Sequence, residues 1–204
     1  MEQGSTEWHE ARLGRVTASR INDVMAKIKS GDEASTRAGY RVQLITERLT
    51  GRPTEMFTTA SMKWGTETEP FARSSYEAEN CVIVQQVGFI NHPSIPMCGA
   101  SPDGLVGDDG LIEIKCPESR THLEYLIAGI APPEYTRQMQ FQMACTERSW
   151  CDFVSFDPRL PSKIQMFVVR VSRDDKLIKQ IETEVSAFLE TVTKMQSKIE
   201  ERMK

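Results

Sequence analysis

An aspartate, a glutamate and a lysine in the middle of the chain have the types and spacing needed to cleave a phosphodiester. Nine residues separate Asp103 from Glu113-Ile114-Lys115, and the intervening segment 107–110, Gly-Asp-Asp-Gly, is typical of a hairpin turn. Because side chains alternate between the two faces of a strand, Glu113 and Lys115 should share one face. The hairpin should bring Asp103 to the same sheet edge.

This cluster suits phosphodiester hydrolysis with a divalent metal. Mg²⁺ prefers hard oxygen ligands and retains several waters, so Asp103, Glu113 and the backbone carbonyl of Ile114 would suffice to hold it. The metal would lower the pKa of bound water and clamp the phosphate oxygens, while Lys115 would orient or deprotonate the attacking water. The same short pattern also fits a surface hairpin with a Glu–Lys pair, so other features have to decide.

Length and composition predict a soluble globular protein with one domain, residues 1–204. The formal net charge is −4, so any DNA-binding groups must be gathered locally. The five cysteines form no C-x-x-C pair, which argues against a zinc or iron–sulfur site and favours reduced thiols. No signal peptide and no apolar run of membrane-spanning length is visible. We therefore expect a cytoplasmic protein without a membrane partner.

Hydrophobic periodicity predicts helices on both sides of a central group of strands. Helical patterns cover 36–50, 58–80, 122–130, 132–144 and most of the chain after 174, and strand patterns cover 82–84, 87–90, 97–100, 150–156 and 164–171. Together with the central hairpin, this order predicts the α/β class, with a mixed central β-sheet flanked by helices.

A second group of residues near the start of the chain could bind phosphate. Thr17 and Ser19 stand where a helix is predicted to begin, near Arg12, Arg15 and Arg20. Amides, hydroxyls and guanidinium groups that meet at a helix start favour a phosphate. The alternative is an ordinary helix cap with solvated arginines, and this segment alone favours that alternative.

Periodicity does not assign a role to several polar residues on two predicted helices. One inward-directed acid on the 58–80 helix would complete a metal site, but spacing does not identify it among Glu67, Glu69, Glu77 and Glu79. Gln138, Gln140 and Gln142 cannot all share one helix face, which favours an interpretation as three surface amides.

Six ordered motifs, which span most of the chain, support the catalytic interpretation. They are Trp8-His9-x-x-Arg12-Leu13-Gly14 with Thr17-Ala18-Ser19, Trp64-Gly65-x-x-x-Glu69, Ser101-Pro102-Asp103-Gly104-Leu105, Glu113-x-Lys115-Cys116-Pro117, Gln138-x-Gln140 and Phe156-Asp157-Pro158-Arg159. Together they resemble the lambda-exonuclease-like and YqaJ-like viral recombinase family of the PD-(D/E)-x-K nuclease superfamily. The resemblance implies a restriction-endonuclease-like core.

The resemblance also implies an activity and a partner. Family membership would mean a Mg²⁺-dependent exonuclease, with Mn²⁺ as a substitute, that digests one strand of duplex DNA from its 5′ end. The products would be 5′-mononucleotides and a 3′ single-stranded overhang. The overhang would be used by a single-strand annealing protein in phage recombination, and the nuclease would be a ring-shaped homotrimer around the DNA.

Matching positions carry the family's site residues onto this chain. Glu69 would join the metal ligands Asp103, Glu113 and the Ile114 carbonyl, Lys115 would activate water, and Gln138 would support the site from its helix. The pocket for the 5′-phosphate would contain Arg12, Thr17 and Ser19. Met62 would be the wedge that separates the terminal bases, although a residue of the helix core is the alternative for it.

Two other functions remain as alternatives. One is a sequence-specific endonuclease of the same superfamily, which would also cut covalently closed circular DNA. The other is a catalytically silent protein that binds DNA ends, and the complete set of Asp103, Glu113 and Lys115 argues against it.

Overall fold

The computed structural model describes residues 1–29, 33–54 and 59–202. Within these ranges the α-helices are α1 Thr6–Arg12, α2 Ile21–Met25, α3 Ser35–Thr50, α4 Ala60–Asn80, α5 Ser119–Ala128, α6 Pro133–Thr146 and α7 Asp175–Glu201. The strands are β1 Val16–Thr17, β2 Val84–Gln85, β3 Ile90–Asn91, β4 Cys98–Ala100, β5 Gly104–Val106, β6 Gly110–Lys115, β7 Trp150–Phe156 and β8 Met166–Ser172. The predicted start of the fourth helix at residue 58 lies outside the described residues.

The main sheet has five strands in the order β2-β5-β6-β7-β8. The β6–β7 pair is parallel and the other neighbours are antiparallel, so the sheet is mixed. A smaller mixed sheet has the order β1-β4-β3. The predicted α/β class with a mixed central sheet flanked by helices is confirmed.

The predicted central hairpin is confirmed as β5 and β6. Gly104 pairs with Ile112, and Val106 pairs with Gly110. Gly107 has φ of 52°, a left-handed conformation that glycine adopts without steric cost, and this turn reverses the chain.

The two faces of the main sheet pack against different helices. Ile112 and Ile114 belong to the buried cluster that contains Ala72 and Tyr76 of α4. The alternate residue Leu111 packs with Met139 and Met143 of α6. Strand alternation therefore directs Glu113, like Leu111, toward α6.

Helix α4 is anchored to the main sheet by a buried polar contact. The Tyr76 hydroxyl donates to Asp152 of β7 at 2.7 Å, and Arg170 of β8 pairs with the same carboxylate at 2.8 Å. These two partners satisfy the carboxylate of Asp152, which is 2% exposed. This anchor fixes the helix that carries Glu69.

A second core lies around the last helix. Buried residues of α7, including Ile181 and Phe188, pack with residues of α2, α3, α6 and the smaller sheet. Helix α6 thus lies between α7 and the main sheet, and its residues Met139 through Cys145 are all buried.

Candidate active site

The ends of the central hairpin bring Asp103 to strand β6. Asp103 Oδ2 accepts a hydrogen bond from the backbone N–H of Ile114 at 2.7 Å. The side chain of Ile114 points into the core cluster of α4, whereas Lys115 Nζ contacts Glu113 Oε1. The predicted convergence of Asp103, Glu113 and Lys115 at one sheet edge therefore occurs in the structure.

Glu113 is a buried carboxylate surrounded by hydrogen-bond donors. Its exposed fraction is 1%. Gln138 Nε2 donates to Oε1 at 2.6 Å, and Gln142 Nε2 donates to Oε2 at 2.6 Å. With Lys115 also on Oε1, each carboxylate oxygen has at least one donor. These donors hold the carboxylate of Glu113 in one orientation.

The interpretation of three surface glutamines is wrong. Gln140 and Gln142 are 2% and 0% exposed, and Gln138 is half-buried with its amide on Glu113. Helix α6 packs between the main sheet and α7, so solvent does not reach Gln140 and Gln142. Gln140 points away from the site, to the backbone of Ser172 and Asp174. Sequence reasoning missed Gln142, which lies one helical turn after Gln138 and thus on the same face.

Glu69 approaches this group from α4. Its carboxylate pairs with Arg73, one turn further along the same helix. Burial raises the pKa of Glu69, and the Glu113 carboxylate raises it further, while Arg73 and Lys115 act in the opposite direction. Of the four glutamates that periodicity left open, the structure places this one within electrostatic range of the hairpin residues.

The acidic groups of the site destabilise each other's charge. Burial raises the pKa of Asp103 well above its usual range, and the Glu113 and Glu69 carboxylates add to this effect. For Lys115, burial lowers the pKa, but Glu113 and Asp103 more than offset this, and the net shift is upward. The protonated ammonium is therefore the form that this arrangement stabilises, and it serves to orient groups and neutralise negative charge.

The carboxylates of this site form hydrogen bonds and ion pairs with donors of the protein itself. Among the described residues, no group of three or more His, Cys, Asp or Glu side chains is arranged to hold a metal ion. The donor chemistry nevertheless fits a hard divalent cation, because the converging groups are carboxylates. Burial raises the pKa of both Asp103 and Glu69, the Glu113 carboxylate raises both further, and a bound cation would relieve this cost.

A cavity of about 650 Å³ lies beside this site and contains the predicted phosphate-binding residues. Arg12, Thr17 and Ser19 all line it, together with Arg15 and Arg20. The hydroxyls of Thr17 and Ser19 are 3.2 Å apart. Neither side chain caps a helix, so the ordinary helix cap is not what the structure contains. Three guanidinium groups and two hydroxyls around one cavity suit an anion.

Arg12 connects the cavity to the catalytic hairpin. Its guanidinium carbon lies 4.0 Å from the ring centroid of Trp8, and Nη1 donates to Ser101 Oγ at 3.2 Å. Trp8 Nε1 donates to the same oxygen at 2.9 Å. Burial lowers the pKa of Arg12, although an arginine remains charged at neutral pH. Because Ser101 precedes Asp103 by two residues, the cavity and the acidic cluster share one segment of backbone.

Glu47, a buried acid among the described residues of the cavity wall, is occupied by structural contacts. Glu47 is 7% exposed and accepts from the Gly14 N–H at 3.0 Å and from Gln43 at 2.8 Å. Gly14 has φ of 64°, and a Cβ there would lie 2.6 Å from Arg48, so the backbone can approach only as glycine. These contacts hold Glu47 in place in the wall of the cavity.

Met62 lies on the rim of the same cavity. It is in the first turn of α4, where the hydroxyl of the capping residue Thr59 accepts from its backbone N–H at 3.2 Å. Its exposed fraction is 47%, so the alternative assignment to the helix core is wrong. The side chain is positioned to contact a molecule that enters the cavity.

The YqaJ-like viral recombinase domain family matches residues 7–149. The chain belongs to this family. The match includes the hairpin, most of the cavity lining and both glutamines on Glu113, and it confirms the resemblance to this family. Membership in the YqaJ-like family supports a nuclease role, and metal-dependent nucleases of this kind imply a divalent metal.

Solved structures agree with this family assignment. An alkaline exonuclease from Laribacter hongkongensis, LHK-Exo, is 52% identical, with a TM-score of 0.91 and 98% of each chain covered. The same exonuclease in complex with dAMP is 53% identical, again with a TM-score of 0.91 and 98% coverage of each chain. A phage-related exonuclease from Haemophilus somnus has the same fold at 17% identity, with a TM-score of 0.70, covering 91% of this chain and 96% of the other.

A more distant relative is much longer. Uncharacterized protein R354 of Acanthamoeba polyphaga mimivirus is 28% identical over 166 residues, which cover 75% of this chain. The chain spans 29% of the length of that relative. Separately, none of the helices in the ranges 1–29, 33–54 and 59–202 has the length and apolar character needed to cross a membrane.

Proposed function

We propose that the protein is a Mg²⁺-dependent exonuclease that digests one strand of duplex DNA in the 5′ to 3′ direction and leaves a 3′ overhang. The observation that carries this proposal is that one short backbone segment, residues 101–103, contacts the cavity at one end and carries an acid of the cluster at the other. Arg12, which lines the cavity, contacts Ser101, and Asp103 of the acidic cluster is two residues further along the chain. A terminal phosphate bound at Arg12 would thus place the adjoining phosphodiester toward the acids.

The residues of the hairpin and α4 would hold the metal. Asp103, Glu113, Glu69 and the Ile114 carbonyl are the ligands we propose, with Mn²⁺ as a substitute for Mg²⁺. When bound, the metal would supply an acidified water and neutralise charge on the phosphate. Lys115 would orient the attacking water through its ammonium group.

Gln138 would support the site by fixing the orientation of Glu113. Its amide donates to Oε1 of that carboxylate at 2.6 Å, while Lys115 holds the same oxygen. A carboxylate held in one orientation presents its remaining lone pairs in a fixed direction, which lowers the cost of ligand binding.

The cavity would select the 5′ end. Arg12, Thr17 and Ser19 would bind the 5′-phosphate, and Met62 at the rim would separate the terminal base pair. The products would be 5′-mononucleotides, and the complex of LHK-Exo with dAMP supports this choice because dAMP is such a nucleotide.

Assembly and partners are further parts of the proposal. A homotrimeric ring would enclose the duplex and explain how a chain with a net charge of −4 acts on DNA, since a basic channel can coexist with an acidic exterior. The 3′ overhang would be the substrate of a single-strand annealing protein in phage-type recombination, which takes place in the cytoplasm of the host cell.

A comparison of linear and covalently closed circular duplexes tests this function. With Mg²⁺, the linear DNA should be digested and the circle should persist, whereas a sequence-specific endonuclease would linearise the circle. A silent end-binding protein would leave both forms intact. Lys115→Ala, purified in parallel, controls for a contaminating nuclease and should be inactive.

A further inference from the structure

Gln142 is a buried amide on the acidic cluster with no role in the motifs. The side chain is 0% exposed, and its Nε2 donates to Glu113 Oε2 at 2.6 Å. Gln138 holds the opposite oxygen, Oε1, at the same distance. The two glutamines are one helical turn apart on α6, so they hold the carboxylate of Glu113 from one helix face.

The orientation of the Gln142 amide is set by the charge of Glu113. Gln142 Oε1 is buried and has no hydrogen-bond donor among the described residues. Leaving a buried acceptor unsatisfied costs about 1–3 kcal/mol. The opposite orientation would direct the amide oxygen at a carboxylate, which is repulsive. The amide therefore uses its donor on Glu113 in spite of that cost.

Gln140 on the same helix shows what a structural glutamine does here. It is 2% exposed, donates to the Ser172 carbonyl at 2.8 Å and accepts from the Asp174 N–H at 2.8 Å. Both ends of this amide are satisfied by backbone groups, one at the end of β8 and one at the N-cap of α7. Gln142 differs, because its single hydrogen bond goes to a proposed metal ligand.

We propose that Gln142 is a positioning residue that fixes Oε2 of Glu113 for binding of a divalent metal. The inference rests on the proposed function of this site as a metal-dependent nuclease centre. Without Gln142, Oε2 loses its protein donor, and the carboxylate can rotate away from its ligand orientation. Loss of such a partner typically weakens metal binding by about 10- to 100-fold.

The test compares Gln142→Met with Gln140→Met as a matched control. Both variants replace a buried amide with an apolar side chain of similar length on α6. Calorimetric titration of Mn²⁺ into each metal-free protein, without DNA, gives the Kd for the metal. We expect the Kd of Gln142→Met to rise about tenfold, while Gln140→Met, even if less stable to heat, retains the wild-type Kd.

Nuclease assays over a range of Mn²⁺ concentrations add a second readout. In Gln142→Met the half-saturating concentration of Mn²⁺ should rise by a similar factor. Much of the wild-type kcat should return when Mn²⁺ is saturating. Should Gln142→Met fail to fold, Gln142→Asn carries the same test, because its shorter amide falls short of Oε2.

The outcomes separate the two proposals. Wild-type protein that binds no Mn²⁺ and cleaves no DNA would overturn the proposed function and the inference with it. If the wild-type protein binds Mn²⁺ and cleaves DNA but a Gln142 variant has an unchanged Kd for Mn²⁺, only the role of Gln142 is overturned. An equal rise in Gln140→Met would likewise reduce Gln142 to a packing residue.

Discussion

Asp103 Oδ2 accepts the backbone N–H of Ile114 at 2.7 Å, and this contact joins the two ends of the central hairpin at the acidic cluster. The same carboxylate has a pKa raised well above its usual range, because it is buried and faces the Glu113 carboxylate. One side chain thus closes the hairpin and also has an electrostatic cost that a bound cation would remove.

Replacement of Asp103 by asparagine should separate stability from activity. An amide oxygen can still accept from Ile114, but the buried charge is gone. We expect Asp103→Asn to raise the free energy of unfolding by about 1 kcal/mol at neutral pH in the presence of a chelator, and to abolish cleavage. Chemical denaturation and a nuclease assay measure the two effects.

The electrostatic origin of this gain in stability predicts how the gain changes with pH. A carboxyl group whose pKa is raised on folding stabilises the protein at low pH, and this stability is lost as pH rises from the unfolded to the folded pKa. The advantage of Asp103→Asn should therefore shrink as the pH falls. A variant that is less stable than wild type at neutral pH without metal would contradict the electrostatic assignment.

Arg12 should determine the preference for a 5′-phosphate. It lines the cavity and contacts the Ser101 hydroxyl, which Trp8 also holds, so the segment that carries Asp103 keeps a partner when Arg12 is removed. We expect Arg12→Ala to lower activity on 5′-phosphorylated ends at least tenfold, to the level seen with 5′-hydroxyl ends, since a charged hydrogen bond contributes about 1.5–3 kcal/mol.

Arg120 provides the matched control for this measurement. Its side chain is 89% exposed on α5, outside the cavity. Initial rates on the two kinds of end should keep their ratio in Arg120→Ala, even if the overall rate falls. A ratio that persists in Arg12→Ala would remove Arg12 from the phosphate pocket.

Met62 should matter only when the end of the duplex is paired. Its exposure of 47% means that Met62→Ala should leave the thermal unfolding temperature nearly unchanged. If Met62 separates the terminal bases, the variant should digest fully paired ends several-fold more slowly and regain the wild-type rate on ends with terminal mismatches. Equal slowing on both substrates would argue against a wedge.

The sequence predicted those parts of the site that depend on local geometry. The hairpin turn at Gly107 and the shared face of Glu113 and Lys115 follow from turn chemistry and strand alternation. Glu69 required the family resemblance, because helical periodicity does not show which of several acids faces the hairpin. Its position depends on how α4 packs on the sheet, through contacts such as Tyr76 with Asp152.

Gln142 shows where sequence reasoning failed. A glutamine on a helix is normally exposed, but α6 is enclosed between the main sheet and α7, which the local sequence does not reveal. The available signal was the spacing of Gln138 and Gln142, since residues four apart on a helix share a face. Met62 posed the reverse problem, as an apolar residue of α4 that is exposed at a cavity.

Digestion of a linear duplex labelled at either end of one 5′-phosphorylated strand tests the central proposal most directly. With Mg²⁺, the 5′ label should be released first, as a mononucleotide, while the 3′ label stays on a progressively shorter strand. With a chelator, neither label should be released. Earlier release of the 3′ label, accumulation of internal fragments, or digestion in the chelator would contradict a metal-dependent 5′ to 3′ exonuclease.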